Sequence, residues 1–378
     1  MGSRRMDREG RPVAEAPALG RSAPKDAVGV WTARVPASSA NLGSGFDVLG
    51  MAVDLELVVR ATFDPEAPGA LSIAVAGAPP AAGAAADGAA SIPNDETNLI
   101  YRAFRAALQA AGEPVPGVRF VIESAIPPAS GLGSSAAAIA AGLILARGVL
   151  GARFRIDDGL ALAVRLEGHP DNVAAAFFGG LVAAWAAEEG AVSVQMVRRE
   201  LPLRLLALVP ERPLSTASSR AVLPKAYSRP DVVDALAKVA LLVSAVKNGD
   251  WGALKPLFAD RLHQPYRLPL VPGAEAVFRL AGALKPLFAD RLHQPYRLPL
   301  VPGAEAVFRL ANDRRCLGMY LSGAGPTIMA LFLDEAERAA WLEGARPVLE
   351  AYGFRPLELA PSAVGARVET PEGETLAW

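Results

Sequence analysis

The sequence holds a single cysteine, Cys316, and only three histidines, which excludes an intramolecular disulfide framework and leaves no Cys/His metal cluster to assemble. The cytoplasm is the expected compartment. An excess of either charge is also missing: 38 Lys and Arg stand against 39 Asp and Glu, a formal net charge of -1. That balance gives no broad basic surface for nucleic acid or anionic lipid, and a small-molecule ligand fits better. No apolar run is read as reaching the ~20 residues of a membrane span, and the N-terminus lacks the apolar stretch of a signal peptide. A soluble protein with neither nucleic-acid nor membrane partners is expected. A Gly-x-x-x-x-Gly-Lys-Ser/Thr string is absent too, so the usual P-loop is excluded.

Apolar residues, by contrast, make up 52% of the 378 positions, a length beyond the ~250 to 300 residues that one core usually supports. Two domains are therefore expected. Residues 1–29 mix charged residues with Pro, Gly and Ala without periodicity and read as a disordered extension. Val30–Val35 and Val53–Phe63 read as strands joined by a Gly/Ser/Asn-rich loop, Pro36–Gly50. The stretch 78–93 is low-complexity Ala, Gly and Pro, after which Asn98–Ala111 has helical periodicity. Val118–Ser124 reads as a strand, Ser134–Leu150 as a long buried helix, and Asp157–Glu167 and Val232–Lys247 as further helices. Strands follow at Leu181–Trp185, Leu203–Pro210, Met319–Leu321 and Ile328–Leu333, with a helix from Glu335 onward. Alternation of this kind predicts mixed α and β layers.

Gly252–Ala281 is repeated without one substitution as Gly282–Ala311. Repeat architectures stack a unit several times and tolerate drift between copies. A single identical duplication is instead expected to leave one copy structurally surplus.

The segment most informative about chemistry is Pro127-Pro-Ala-Ser-Gly-Leu-Gly-Ser-Ser135, a Gly-rich turn between a strand and an apolar helix. Glycines let backbone approach a ligand closely, and a helix N-terminus supplies unpaired N–H groups and about half a positive charge, which suits a polyphosphate. With no Walker lysine, the neutralising charge has to come from a metal ion or an arginine. Taken alone, such a turn also describes an ordinary tight entry to a helix.

Three further strings accompany it: Pro36-Ala-Ser-Ser-Ala-Asn-Leu-Gly-Ser-Gly-Phe-Asp47, Leu166-Glu-Gly-His-Pro-Asp-Asn172 and Leu321-Ser-Gly-Ala-Gly-Pro-Thr327. Together they closely resemble the signature motifs of the GHMP small-molecule kinases, and specifically their homoserine kinase branch, over nearly all of 30–368. The branch is read from single positions. Mevalonate kinases and galactokinases typically place Lys or Arg in the first motif, where this sequence has Pro36-Ala37-Ser38.

The resemblance implies an α+β, two-domain GHMP kinase fold. Its N-terminal ATP-binding domain, 30–200, would be of βαβ type with the Gly-rich helix N-terminus. Its C-terminal domain, 201–378, would be ferredoxin-like and contain the duplication 252–281 and 282–311. It further implies ATP- and Mg²⁺-dependent phosphorylation of the side-chain hydroxyl of L-homoserine, on the route to threonine. Nucleotide would be held by Pro127, Pro128, Ala129, Ser130, Gly131, Leu132, Gly133, Ser134, Ser135, Ala136 and Ala137. Ser135 and Glu167 would be the magnesium ligands, consistent with that ion's preference for few protein oxygens. Substrate would be bound by Asn41, Asp47, His169, Asn172, Thr216, Arg220 and Gly323, with Asn41, Glu167 and Ser135 forming the catalytic set. A carboxylate suits the substrate ammonium, an amide can orient its hydroxyl, and Arg suits a planar carboxylate. One more substrate arginine lies in a His-x-Pro-x-Arg string that occurs twice here, as Arg267 and Arg297, and only one of them can occupy the site. The family is often dimeric, so a homodimer is an allowed arrangement. Two other readings stay open at this point: a GHMP kinase for a different small alcohol, and a nucleotide-binding homologue whose phosphotransfer the duplication impairs.

Overall fold

The structure, a computed structural model, describes residues 29–76, 92–188, 190–280 and 315–378. The proposed disordered extension (all but its last residue), most of the low-complexity stretch 78–93, and the whole second repeat copy with Arg297 lie outside the described residues.

Two long strands, β1 (Trp31–Ala40) and β2 (Leu49–Asp64), form the antiparallel spine of the first sheet. Both extend into the stretch read as a loop, leaving only 41–48 as the connection. Ala37–Ala40 pair with Gly50–Val53 after a register shift at Pro36/Ala37, and all four residues from Ala37 to Ala40 are buried. The helices approach this part of the sheet closely: at Gly50 a Cβ would lie 2.1 Å from the Asp171 carbonyl oxygen. β3 (Leu71–Val75), α1 (Leu99–Ala110) and β4 (Gly117–Ser124) form a βαβ crossover, β3 pairing parallel with β4. Asn98 caps α1, its Oδ1 accepting from the Ile100 N–H at 2.9 Å.

α2 (Ser134–Leu150) is apolar on every side because it is buried on nearly every side, from Ala136 to Ala146 almost without a break. The 20 residues Ser134–Arg153 are in fact apolar enough by composition to cross a membrane, contrary to the sequence expectation, yet 61% of that window is buried inside the protein. The core accounts for their apolarity. α1 crosses α2 at Gly142, where a Cβ would come within 2.2 Å of the Ile100 carbonyl oxygen. α3 (Ile156–Glu167) and α4 (Asp171–Phe178) pack beside α2, and the hairpin β5 (Leu181–Ala186) and β6 (Val192–Arg198) joins the sheet through the start of β2.

β7 (Arg204–Pro210) opens the second sheet, followed by α5 (Thr216–Ala221), α6 (Arg229–Asn248), α7 (Gln264–Arg267) and α8 (Ala274–Leu280). β8 (Gly318–Leu321), β9 (Ile328–Phe332), α9 (Glu335–Ala351) and β10 (Phe354–Leu359) complete it. The strand order β10-β7-β9-β8, antiparallel throughout, is the ferredoxin-like arrangement. α9 covers this sheet, with Trp341 fully buried against Phe332 at 5.7 Å between ring centroids. Trp341→Ala is expected to cost about 3–5 kcal/mol in denaturant unfolding. A loss under about 1 kcal/mol would contradict the packing described.

The chain then returns to the first sheet. β11 (Arg367–Glu369) pairs with β1 and β12 (Thr375–Ala377) with β11, so the unit expected at 201–378 ends short of the C-terminus. β11 covers the open edge of β1, which an unpaired strand would leave exposed. The terminal Trp378 stacks on Phe177 at 5.4 Å and lies 5.0 Å from the Arg147 guanidinium, which fastens this return.

Candidate active site

The turn before α2 takes left-handed backbone at three positions: φ is +81° at Gly131 and +69° at Gly133, which glycine adopts freely, and +51° at Ala129, where the Cβ makes it strained. No side chain caps α2, so its first-turn amides have neither an intrahelical nor a side-chain partner. Gly131 admits no side chain, because a Cβ there would lie 2.5 Å from the Ser322 carbonyl oxygen and 2.6 Å from that of Gly325.

The turn forms one wall of a cleft of about 350 Å³ between the two sheets' domains. At its apolar end stand Leu57, Ile92, Leu99, Ile122, Ile126 and Ala138. At its polar end the 41–48 connection meets α5, α7 and the turn between β8 and β9. Arg220 on α5 donates two hydrogen bonds to the Asp47 carboxylate, at 2.8 and 3.2 Å. Asn41 is buried, donating from Nδ2 to the Gly323 carbonyl at 2.6 Å and accepting from the Asp47 N–H at 3.0 Å. One N–H and one lone pair of its amide stay available.

Arg267 on α7 is 1% exposed, yet it lines the cleft. It donates to the carbonyls of Gly323 (3.2 Å) and Ser219 (3.3 Å), and its guanidinium lies 5.1 Å from the centre of the Phe46 ring. His263 steadies it. The His263 Nε2–H donates to the Gly43 carbonyl at 2.9 Å, leaving Nδ1 as acceptor for Arg267 at 3.3 Å. Burial above all pushes the His263 pKa down, reinforced by Arg267 against the opposing pull of Asp260, which keeps the ring neutral as this arrangement requires.

Across the cleft, the Ser135 hydroxyl at the start of α2 donates to the Glu167 carboxylate at the end of α3, at 2.6 Å. His169 sits between carboxylates, with Nδ1 2.6 Å from Asp171 and Nε2 3.9 Å from Glu167. Burial opposes its charge, but the Asp171 hydrogen bond and the charges of Asp171 and Glu167 outweigh that and hold its pKa above the usual value.

Residues 98–180 match the family GHMP kinases N terminal domain, and 274–343 match GHMP kinases C terminal. A homoserine kinase of Moorella thermoacetica is 42% identical over 339 residues, covering 89% of this chain and 98% of that protein. The chain belongs to the homoserine kinase family. A homoserine kinase of Deinococcus radiodurans is 37% identical over 352 residues, covering 90% and 97% of the two chains. The crystal structure of homoserine kinase from Cytophaga hutchinsonii shares the fold, with a TM-score of 0.68 at 23% identity over 90% of this chain and 97% of that one.

Asn41, Asp47, His169, Asn172, Thr216, Arg220, Arg267 and Gly323 all line the one cleft, as do Pro128, Ala129, Ser130, Gly131, Gly133, Ser134, Ser135 and Glu167. Leu132, Ala136 and Ala137 instead turn their side chains into the core, and Pro127 does not line the cleft. Arg297 lies outside the described residues. Sequence reasoning missed Asp171, Phe46, His263 and the apolar end. Asp171, Phe46 and His263 all lay within strings singled out above, whereas nothing local marks Leu57 or Ile122 as cleft residues rather than core.

Proposed function

We propose that this kinase transfers the γ-phosphoryl group of ATP to the side-chain hydroxyl of L-homoserine, and that it does so in the cytoplasm. The observation that carries the reading is the pairing of opposite charges, Asp47 with Arg220, beside buried Arg267 and within one cleft of the Gly-rich turn. A zwitterion offers each of these charges a partner: its ammonium suits Asp47, and its carboxylate suits Arg220 and Arg267. The apolar end suits a flat purine, and the amides of the turn and of α2 suit the phosphate chain.

Ser135 and Glu167 present two hard oxygens within hydrogen-bonding distance of each other, a donor set that fits Mg²⁺ alongside phosphate and water. When bound, that ion would neutralise phosphate charge. The chain's own residues hold the acceptor hydroxyl in line with the γ-phosphorus, and transfer through a loose transition state depends on such positioning more than on a strong base. Asn41, whose amide is already half committed to fixing the 41–48 connection, aims its remaining groups at the hydroxyl. Asn41→Ala is expected to lower kcat about tenfold or more through misorientation. An unchanged turnover number would remove Asn41 from this role.

The rival small-alcohol reading is tested by a panel of acceptors, L-homoserine, L-serine, mevalonate and galactose, with products identified by phosphorus NMR. L-Homoserine is expected to give the highest kcat/KM by about tenfold or more. Another alcohol outranking it would replace the assignment. Against the reading of an impaired homologue stands the first repeat copy: its Arg267 lines the cleft, His263 holds Arg267 and the Gly43 carbonyl, and Gln264 Oε1 accepts from the Leu321 N–H at 2.8 Å.

A further inference from the structure

Three consecutive carbonyls of the Gly-rich turn are tied down from behind. The Ser130 oxygen accepts from the Thr327 N–H at 3.1 Å, the Gly131 oxygen from the Ser322 hydroxyl at 2.8 Å, and the Leu132 oxygen from the Ser38 N–H at 3.1 Å. In a planar trans peptide the C=O and the following N–H point opposite ways. Holding these carbonyls to the rear therefore turns the N–H groups of Gly131, Leu132 and Gly133 forward, toward the cleft, as a nest for an anion. Two of the three tethers are backbone to backbone; only the middle one is a side chain.

That side chain ends a buried chain of hydroxyls. Ser39 Oγ lies 2.7 Å from Ser322 Oγ and 2.9 Å from the Tyr320 hydroxyl, and all three residues are 0% exposed. Its direction follows from proton counting. A carbonyl only accepts, so the one Ser322 proton is spent on Gly131; Ser322 must then accept from Ser39, and Ser39 must accept from Tyr320. Protons thus run one way, from Tyr320 through Ser39 and Ser322 to the Gly131 carbonyl. Burial pushes the Tyr320 phenol well above its ordinary pKa, outweighing its bond with Ser39, so the donor at the head of the chain keeps its proton. The chain also crosses the domains: Tyr320 and Ser322 lie on and just after β8, Ser39 on β1 and Gly131 before α2.

We infer that Ser322, supported through Ser39 by Tyr320, is a positioning residue for the nucleotide: it fixes the Gly131 peptide so that the turn's amides meet the phosphate chain. None of the three hydroxyls need touch a ligand for this, and none lines the cleft. The inference rests on the kinase reading above and concerns the ATP side of the reaction alone.

The test compares Ser322→Ala and Tyr320→Phe with the wild-type chain, varying ATP at saturating L-homoserine and L-homoserine at saturating ATP. Ser322→Ala is expected to lower kcat/KM for ATP about tenfold, the scale of one hydrogen bond to a fixed group. Tyr320→Phe, which keeps the ring and the two downstream bonds, is expected to lower it about threefold. The KM for L-homoserine should stay within about twofold in both. A purely structural role would reduce active enzyme and lower both substrates' kcat/KM alike, which overturns the inference, as would an unchanged ATP dependence in both variants. Should Ser322→Ala fail to fold, the near-isosteric Tyr320→Phe still decides, because its predicted loss is specific to ATP. Homoserine-dependent ADP release by the wild-type chain separates failure of this inference from failure of the kinase assignment.

Discussion

Glu167→Gln is expected to lower kcat by about a hundredfold or more, since even residues that merely support a metal ligand cost ten- to a hundredfold when replaced. Glu167 is the last residue of α3, its side chain 10% exposed and facing the first turn of α2, where Ser135 donates to it at 2.6 Å. Glutamine keeps the shape and can still accept that hydrogen bond, so the fold should be retained and the missing quantity is charge. Mg²⁺ would then meet a neutral amide where it prefers a carboxylate. A second readout is independent of turnover: the strengthening of ATP binding by Mg²⁺, measured calorimetrically with and without the ion, should shrink sharply in the variant. An unaltered magnesium titration would reject Glu167 as a ligand.

Arg267→Ala is expected to lower kcat/KM for L-homoserine about a hundredfold, the scale of ~3 kcal/mol for hydrogen bonds to a charged group. Arg297→Ala is expected to change it less than about twofold. The two arginines occupy equivalent places in identical 30-residue copies, and deleting either copy yields the same polypeptide, so only point substitutions can tell them apart. The asymmetry is predicted because the seat beside Gly323 is filled by Arg267, held by two carbonyls, the Phe46 ring and His263. Burial, and next the neighbouring Arg220, push the Arg267 pKa down, but Asp47 and Asp260 face it and it remains a cation from a very high starting point. Equal losses from both substitutions, or a loss confined to Arg297→Ala, would contradict this placement.

Much of this site was legible because its motifs are local. The Gly-rich turn opening into Ser134–Leu150 is one continuous string, and its helix boundaries fall where the apolar run begins and ends. What composition misjudged was strand made of small residues: Ser38, Ser39 and Ala40 look like loop, yet all three are buried in β1 and paired with β2. Ser38 also meets Asn172, with 2.9 Å between Oγ and Oδ1, a contact across 134 positions that no window reading can anticipate. Short strands such as β11 and β12 carry too few residues for a period, and their place beside β1 follows from an edge needing cover rather than from their own sequence. The apolar end of the cleft was invisible for a further reason: Leu57, Ile122 and Ile126 have the residue types of the core they adjoin.

The duplication is the feature on which sequence and structure bear most differently. Sequence identity makes the copies interchangeable, while the three-dimensional arrangement gives the first a role through α7 and its contacts with β8 and the 41–48 connection.

The most direct test of the central claim is ADP release by the purified full-length chain with ATP, Mg²⁺ and L-homoserine, run beside a chain lacking one 30-residue copy. Homoserine-dependent release is predicted from both, because the first copy already completes the cleft. Release from neither, with both chains folded, would contradict the assignment of this cleft as a homoserine kinase site.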